Sequence, residues 1–142
     1  MKYFTFTEFE RSDTATKFAI DNSIPESAKK NIAALVDTVL DPLREAWGKP
    51  INVTSGYRCP ELNKAAKGVA GSMHLEGRAA DISTGNVVDN RRLWQLVQDL
   101  KLPYFELIGQ KYGFKWLHIS YNPGRKQRTE QPPKIEIPSR FR

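Results

Sequence analysis

The chain contains one cysteine and two histidines among its 142 residues. The single thiol, Cys59, excludes an intrachain disulfide and also excludes a cysteine-rich zinc cluster. No apolar run approaches the roughly 20 residues that a membrane span requires, so we expect no membrane insertion. The segment Met1–Glu8 lacks the apolar core of a signal peptide. We therefore expect the protein to be cytoplasmic as made.

Positive charge is concentrated near the C-terminal end of the sequence. The net charge is +6, and residues 123–142 carry six Lys or Arg residues against two Glu residues. This basic, proline-containing tail is either simply solvated or attracts a polyanion such as cell-wall polymer. It has no aromatic interleaving or helical stripe, so we expect no specific nucleic-acid binding. We assign residues 1–122 to one globular domain and expect a monomer.

Capping residues and apolar periodicity predict the main helices. A short helix begins after Thr5, and the longest one follows Asn22–Glu26, where cap residues, a proline and an acid lie together. The apolar residues of the long helix recur with a helical period and are Ile32, Leu35, Val36, Val39, Leu40, Leu43 and Trp47. Pro42 lies inside this pattern and is expected to kink or split the helix near Asp41. A further amphipathic helix begins at Asp89–Asn90.

Short apolar segments bounded by turn residues predict the strands. They are Ile51–Thr54, Ala79–Ser83, Phe105–Gln110 and Trp116–Tyr121. The last two are expected to form a hairpin. Strand alternation then places His118 on the same face as Trp116 and Ser120.

Both histidines occur in settings that suit a metal site. His74 precedes Asp81 by seven residues, and Asp81 lies in the short apolar segment that we predict to be a central strand. A buried carboxylate must be paired or bound to a metal. Two imidazoles and a carboxylate are typical ligands of an open zinc site, where a water of lowered pKa acts as the nucleophile. The alternative is that His118 is an ordinary, hydrogen-bonded core residue.

Three sequence motifs are distinctive: Ser72-x-His74-x-x-Gly77-x-Ala79-x-Asp81, Trp116-x-His118 and Ser55-Gly56-Tyr57-Arg58. They resemble the motifs of the zinc D-Ala-D-Ala carboxypeptidase and murein endopeptidase family. The resemblance extends from Thr5 to about Tyr121 and is strongest to compact single-domain members of bacteria and phage lysis cassettes. It implies an α+β fold of the hedgehog type, with a small antiparallel sheet flanked by helices. It also implies that Zn²⁺ is bound by His74, Asp81 and His118.

The resemblance further implies roles for three residues around the metal. Arg58 matches an arginine that polarises the substrate carbonyl or holds a substrate carboxylate, and a guanidinium suits either task. The alternative for Arg58 is a surface salt bridge. Ser72 is expected near the substrate, unless its hydroxyl only closes the loop. Trp116 is expected either to pack against the site or to contact substrate.

One position departs from the family pattern. Family members carry a glutamate, the general base, on the strand before the last histidine, and aligning Leu107–Ile108 with the family's apolar pair places Gln110 there. An amide cannot accept the proton, and loss of a general base costs about 10²–10⁴ in rate. The chain is then a natural inactive wall binder or a deliberately inactivated variant, unless Glu106 substitutes or the hairpin alignment is shifted. Glu76, beside His74, is a further candidate base.

These observations lead to one main functional hypothesis and two alternatives. The main one is an endolysin-like zinc metallopeptidase that hydrolyses a peptide bond in peptidoglycan stem or cross-bridge peptides, acting on the cell wall if released. The first alternative is a catalytically inactive, zinc-containing wall-binding module. The second is a basic nucleic-acid binder in which the two histidines are merely structural.

Overall fold

A computed structural model describes residues 1–130 of the chain as a layer of helices packed on one small sheet. The helices are α1 (Phe6–Glu10), α2 (Asp13–Lys17), α3 (Glu26–Leu35), α4 (Asp41–Trp47), α5 (Pro60–Ala65) and α6 (Val87–Asp99). Three shorter helical turns are Val36–Leu40 (π), Met73–Glu76 (3₁₀) and Gln110–Tyr112 (3₁₀). The strands are β1 (Asn52–Ser55), β2 (Ala79–Ser83), β3 (Glu106–Ile108), β4 (Leu117–Ser120) and β5 (Arg128–Thr129). The predicted α+β class is confirmed.

The sheet has the strand order β1-β2-β4-β3-β5. The first four strands pair antiparallel, as predicted, whereas β5 runs parallel to β3. The sheet is therefore mixed. Its parallel edge arises because residues 121–127 carry the chain from β4 across to the far side of β3, where it runs in the direction of β3.

The hydrophobic core lies between the sheet and the long helical segment formed by α3, the π turn and α4. The fully buried residues of that segment include Ile32, Leu35, Val36, Val39, Leu40 and Leu43, which are on the predicted apolar face. Pro42 does not split the helix. A π-helical turn precedes it, with the N–H of Asp41 bonded to the carbonyl of Val36. The wider turn accommodates a proline, which lacks an N–H and would otherwise crowd the preceding turn.

The predicted strand Phe105–Gln110 is shorter in the structure. β3 ends at Ile108, and Gln110 begins a 3₁₀ turn. The Glu130 carboxylate accepts hydrogen bonds from the N–H groups of Gly109 and Gln110, and from that of Lys111 at 3.1 Å. These backbone groups are therefore satisfied by a side chain from beyond β5 and not by a neighbouring strand.

Two features of the C-terminal segment bear on the predicted domain boundary at residue 122. Arg128 and Thr129, within the segment assigned to the tail, form β5 on the edge of the sheet. Residues 131–142 lie outside the described part of the chain. The boundary stays a prediction. Among residues 1–130, no helix has the length and apolarity needed to cross a membrane.

The sheet register brings the chemically distinctive residues together. Asp81 in β2 is paired directly with His118 in β4, and His118 is in turn paired with Ile108 in β3. His74 belongs to the 3₁₀ turn that leads into β2. That turn ends at Gly77, whose φ of +72° is in the left-handed region, and a Cβ there would lie 2.6 Å from the carbonyl oxygen of Ala28. Glycine at this position allows the turn to pack against α3.

Candidate functional site

The three residues proposed as metal ligands converge in the structure. His74, Asp81 and His118 each offer one ligand atom, and these atoms all lie within 4.8 Å of one another. Asp81 Oδ1 is 3.2 Å from His74 Nε2 and 3.1 Å from His118 Nδ1. His74 and Asp81 are buried, and His118 is mostly buried. The three side chains therefore face a common point.

The backbone fixes the orientation of His74. Its Nδ1 lies 2.7 Å from the carbonyl oxygen of Gly56, at the end of β1. A carbonyl oxygen can only accept a hydrogen bond, so Nδ1 carries a proton. In the neutral imidazole, Nε2 then carries the lone pair, and this lone pair is directed toward Asp81. That is the tautomer that a metal ligand needs.

The carboxylate of Glu106 orients the imidazole of His118. His118 Nε2 lies 3.2 Å from Glu106 Oε1, and the hydroxyl of Ser120 donates to the same oxygen at 3.1 Å. In the neutral imidazole, a proton on Nε2 would leave the lone pair of Nδ1 directed toward Asp81. A carboxylate behind a histidine is a usual partner of a metal-binding imidazole, because it sets the tautomer and increases the basicity of the ligand.

The electrostatic environment of Asp81 and His118 favours positive charge between them. Burial alone would lower the pKa of His118, but hydrogen bonds with Asp81 and Glu106 raise it to about 9. Burial alone would raise the pKa of Asp81, but hydrogen bonds from His118 and His74 and their charges hold it well below its usual range. In the metal-free protein a proton thus supplies the positive charge. Two nitrogens and one carboxylate oxygen form a donor set that fits zinc.

Arg58 is adjacent to these residues and mostly buried. Its side chain is 16% exposed, and Nη2 lies 3.3 Å from Asp81 Oδ2. Nε donates to Ser55 Oγ at 3.1 Å, and Nη1 donates to Asn63 Oδ1 at 3.3 Å. Gly68 lies against this arrangement, since a Cβ there would be 2.9 Å from Arg58 Nη1. The guanidinium therefore binds the carboxylate oxygen of Asp81 that is turned away from the histidines.

The site opens into a cleft of about 580 Å³. Of the residues singled out in the sequence, those lining it are Arg58, Ser72, His74, Asp81, Glu106, Trp116 and His118. Ser72 also caps the 3₁₀ turn, because its hydroxyl accepts from the N–H of His74 at 3.2 Å. Trp116 stacks on Tyr112 with ring centroids 4.4 Å apart. Ser72 and Trp116 thus combine a local structural contact with exposure to the cleft.

Gln110 and Glu76, the other two positions considered for the general base, do not line the cleft. The side-chain oxygen of Gln110 is buried and has no hydrogen-bond partner within residues 1–130. Glu76 is half-exposed and pairs with Arg78 at 3.5 Å. Of these three positions, only Glu106 lines the cleft and contacts a proposed ligand.

Several residues of the cleft were not identified from the sequence. They are Lys67, Phe105, Lys111, Tyr112, Arg125 and Arg128. Arg125 and Arg128 belong to a polar segment without apolar alternation, so no periodic signal indicates that it returns to the sheet. Lys111 and Tyr112 lie in the 3₁₀ turn that replaces the end of the predicted strand.

An open site of two histidines and an aspartate at the base of a cleft is typical of metal-dependent hydrolases. A family model for Peptidase M15 matches residues 2–120, and the chain belongs to this family, the zinc D-Ala-D-Ala carboxypeptidase family whose motifs it resembles. No curated protein matches the chain. M15 peptidases are metal-dependent, so family membership supports a metallopeptidase.

The first prediction concerns metal content. Zinc-loaded protein should contain about one zinc per chain by elemental analysis. Loss of a residue that hydrogen-bonds to a metal ligand typically weakens metal binding by roughly 10–100-fold. His118→Ala removes a ligand itself and should weaken zinc binding by more than this. Asp89→Asn, which removes a carboxylate that does not line the cleft and pairs with Arg92, should leave the zinc content unchanged. Equal zinc content in wild type and His118→Ala would contradict the ligand assignment.

The second prediction concerns the metal-free protein and pH. The folded pKa of His118, about 9, is above its ordinary value of 6.5. Charged His118 therefore stabilises the fold fully below pH 6.5, and this stabilisation is lost as pH rises through about 9. Urea unfolding in the presence of chelator should show a loss on the order of 2 kcal/mol between these values. The loss should be absent in His118→Gln, and an equal loss in that variant would assign the effect to other groups.

Proposed function

We propose that the chain is a zinc-dependent peptidase that hydrolyses a peptide bond in the stem or cross-bridge peptides of peptidoglycan. The observation that carries this proposal is the convergence of His74, Asp81 and His118 at a cleft, with an oxygen acceptor next to the ring nitrogen of each histidine that faces away from Asp81. Family membership supports the peptidase class. The peptidoglycan substrate rests on the resemblance of the three motifs to the murein-cleaving enzymes.

The protein's own side chains prepare this site in three ways. The carbonyl of Gly56 and the carboxylate of Glu106 fix the two imidazoles, and Arg58 fixes Asp81. Zinc, when bound by the three ligands, supplies a Lewis acid for the substrate carbonyl and lowers the pKa of water. The cleft then needs a group to orient the substrate and a group to accept a proton.

Arg58 is our candidate for orienting the substrate. A guanidinium has five N–H donors, and three of them are used on Ser55, Asn63 and Asp81. The remaining two N–H groups suit a substrate carbonyl or carboxylate. Because Asp81 holds the guanidinium in place, little side-chain freedom is lost when substrate binds.

Glu106 is poorly suited to be the proton acceptor of the reaction. Glu106 already accepts hydrogen bonds from His118 and Ser120, and the bond from His118 lowers its pKa. A general base works best with a pKa near the working pH. We therefore assign Glu106 to orienting His118. The resemblance gives the role of general base to position 110, where this chain has an amide that does not line the cleft. Because an amide cannot accept the proton, we expect slow hydrolysis.

Gln110 also favours a second candidate function. A chain that retains the metal ligands but lacks the general base suits a catalytically inactive, zinc-containing module that binds the cell wall. This module would use the same cleft and the same three ligands. The two candidates therefore differ in turnover and not in metal binding.

The third prediction separates these two functions. The side-chain oxygen of Gln110 is buried and does not line the cleft, but a carboxylate is costly to bury and should turn toward the cleft. Gln110→Glu should then raise the rate of amine release from purified peptidoglycan by about 10²–10⁴, because the carboxylate can accept a proton there. Gln95→Glu makes the same change on the exposed face of α6 and should leave the rate unchanged. If wild type and Gln110→Glu both bind zinc and peptidoglycan but neither releases amines, the peptidase proposal is wrong and the binding module stands.

The fourth prediction tests the role of Glu106. Glu106→Gln should weaken zinc affinity by about 10–100-fold, because the amide no longer supports His118 as a carboxylate does. At saturating zinc, the activity of Glu106→Gln in the Gln110→Glu background should return to within a few-fold of that of the parent. A loss of about 10²–10⁴ that saturating zinc does not restore would instead make Glu106 the general base.

A further inference from the structure

The chain that follows the family match at residues 2–120 returns to the cleft. β5 pairs with β3 in the register Glu106–Arg128 and Leu107–Thr129. The amide of Gln127 donates to the carbonyl of Leu102 at 2.8 Å. These contacts attach residues 127–129 to the edge of the sheet that carries Glu106.

A second anchor follows directly after β5. The Glu130 carboxylate accepts hydrogen bonds from consecutive backbone N–H groups at Gly109, Gln110 and Lys111. Hydrogen bonds to a charged acceptor are stronger than those between neutral groups. The segment is therefore fixed on both sides of Arg128.

This attachment places two arginines at the cleft. Arg125 and Arg128 both line it, together with His118 and Asp81. Their guanidinium carbons lie 4.8 Å and 5.7 Å from the centroid of the Phe105 ring, which also lines the cleft. Each guanidinium group is therefore within cation–π distance of the same aromatic ring. Within residues 1–130, neither arginine forms an ion pair with a carboxylate, and both are exposed to solvent.

The charge balance of the cleft favours an anionic ligand. Its cationic lining residues are Arg58, Lys67, Lys111, Arg125 and Arg128, and its carboxylates are Asp81 and Glu106. Both carboxylates already contact cationic or hydrogen-bonding partners of the site. A cleft lined mainly by one sign of charge concentrates ligands of the opposite sign. The fork of N–H groups on a guanidinium matches a carboxylate in particular.

We propose that Arg125 and Arg128 form an anion subsite beside the metal ligands that binds a free carboxylate of the peptide substrate. This inference rests on the proposed peptidase function and gives it a specificity. Peptides with a free carboxylate near the scissile bond bind better than peptides in which that carboxylate is amidated. The determinant lies after residue 120, beyond the family match.

Binding calorimetry on the zinc-loaded full chain tests this subsite directly. The probes are the pentapeptide L-Ala-D-γ-Glu-L-Lys-D-Ala-D-Ala and two versions of it, amidated at the D-Glu α-carboxylate or at the C-terminus. Amidation at one of these two positions should weaken binding to wild type by about tenfold relative to the free peptide. This is the effect expected for contacts to two solvent-exposed arginines. Arg125→Gln and Arg128→Gln should each reduce this preference roughly two- to fivefold. The double variant should lose the preference.

Lys126→Gln is the matched control, because Lys126 is an exposed neighbouring cation that is not among the residues lining the cleft. This variant should keep the preference for the free carboxylate. The subsite proposal is overturned if the double variant keeps the preference, if Lys126→Gln loses it equally, or if wild type shows none. Thermal unfolding of each variant checks that it folds, and if the double variant does not fold, the two single variants decide.

Hydrolysis of the same peptides by Gln110→Glu separates this proposal from the peptidase proposal. Cleavage without any preference between free and amidated peptides would overturn the subsite alone. A preference in binding without cleavage would support the subsite and count against the peptidase. If the peptides are neither bound nor cleaved, both proposals fail.

Discussion

The carboxylate of Asp81 is buried in the sheet, where it contacts two imidazoles through one oxygen and a guanidinium through the other. A buried charge requires such partners, because an unpaired carboxylate costs several kcal/mol to desolvate. Each partner comes from a different part of the chain: His74 from a 3₁₀ turn, His118 from β4 and Arg58 from the loop after β1. The local conformations of these elements are therefore coupled to one ionised group, and the same arrangement leaves three donor atoms facing a common point.

Each of the two histidines is also oriented by a hydrogen-bond acceptor on the side of the ring that faces away from Asp81. Gly56 and Glu106 each offer an oxygen acceptor to the far nitrogen of one imidazole, which favours opposite tautomers of His74 and His118 when the rings are neutral. Groups of this kind orient metal ligands and tune their basicity. In the proposed function Glu106 therefore orients His118, and the proton acceptor has to come from another position, for which the resemblance indicates position 110.

The ligand motif could be predicted because its chemistry is local in sequence, with His74 and Asp81 separated by one turn and the start of a strand. The hairpin face that carries His118 followed from strand alternation. The 3₁₀ turn at Gln110 could not be predicted, because it depends on the carboxylate of Glu130, 20 residues further along the chain. β5 was missed for a related reason: a two-residue strand of polar residues is stabilised by the edge it pairs with and not by its own propensity.

X-ray absorption spectroscopy of the zinc-loaded protein tests the central claim, that two imidazoles and the Asp81 carboxylate bind one zinc ion. We predict a first shell of nitrogen and oxygen at about 2.0–2.2 Å, with the scattering pattern of two imidazoles and no sulfur. Asp81→Asn should alter this shell. A sulfur ligand at about 2.3 Å, which would have to come from Cys59 or a methionine, or a shell containing fewer than two imidazoles, would contradict the account.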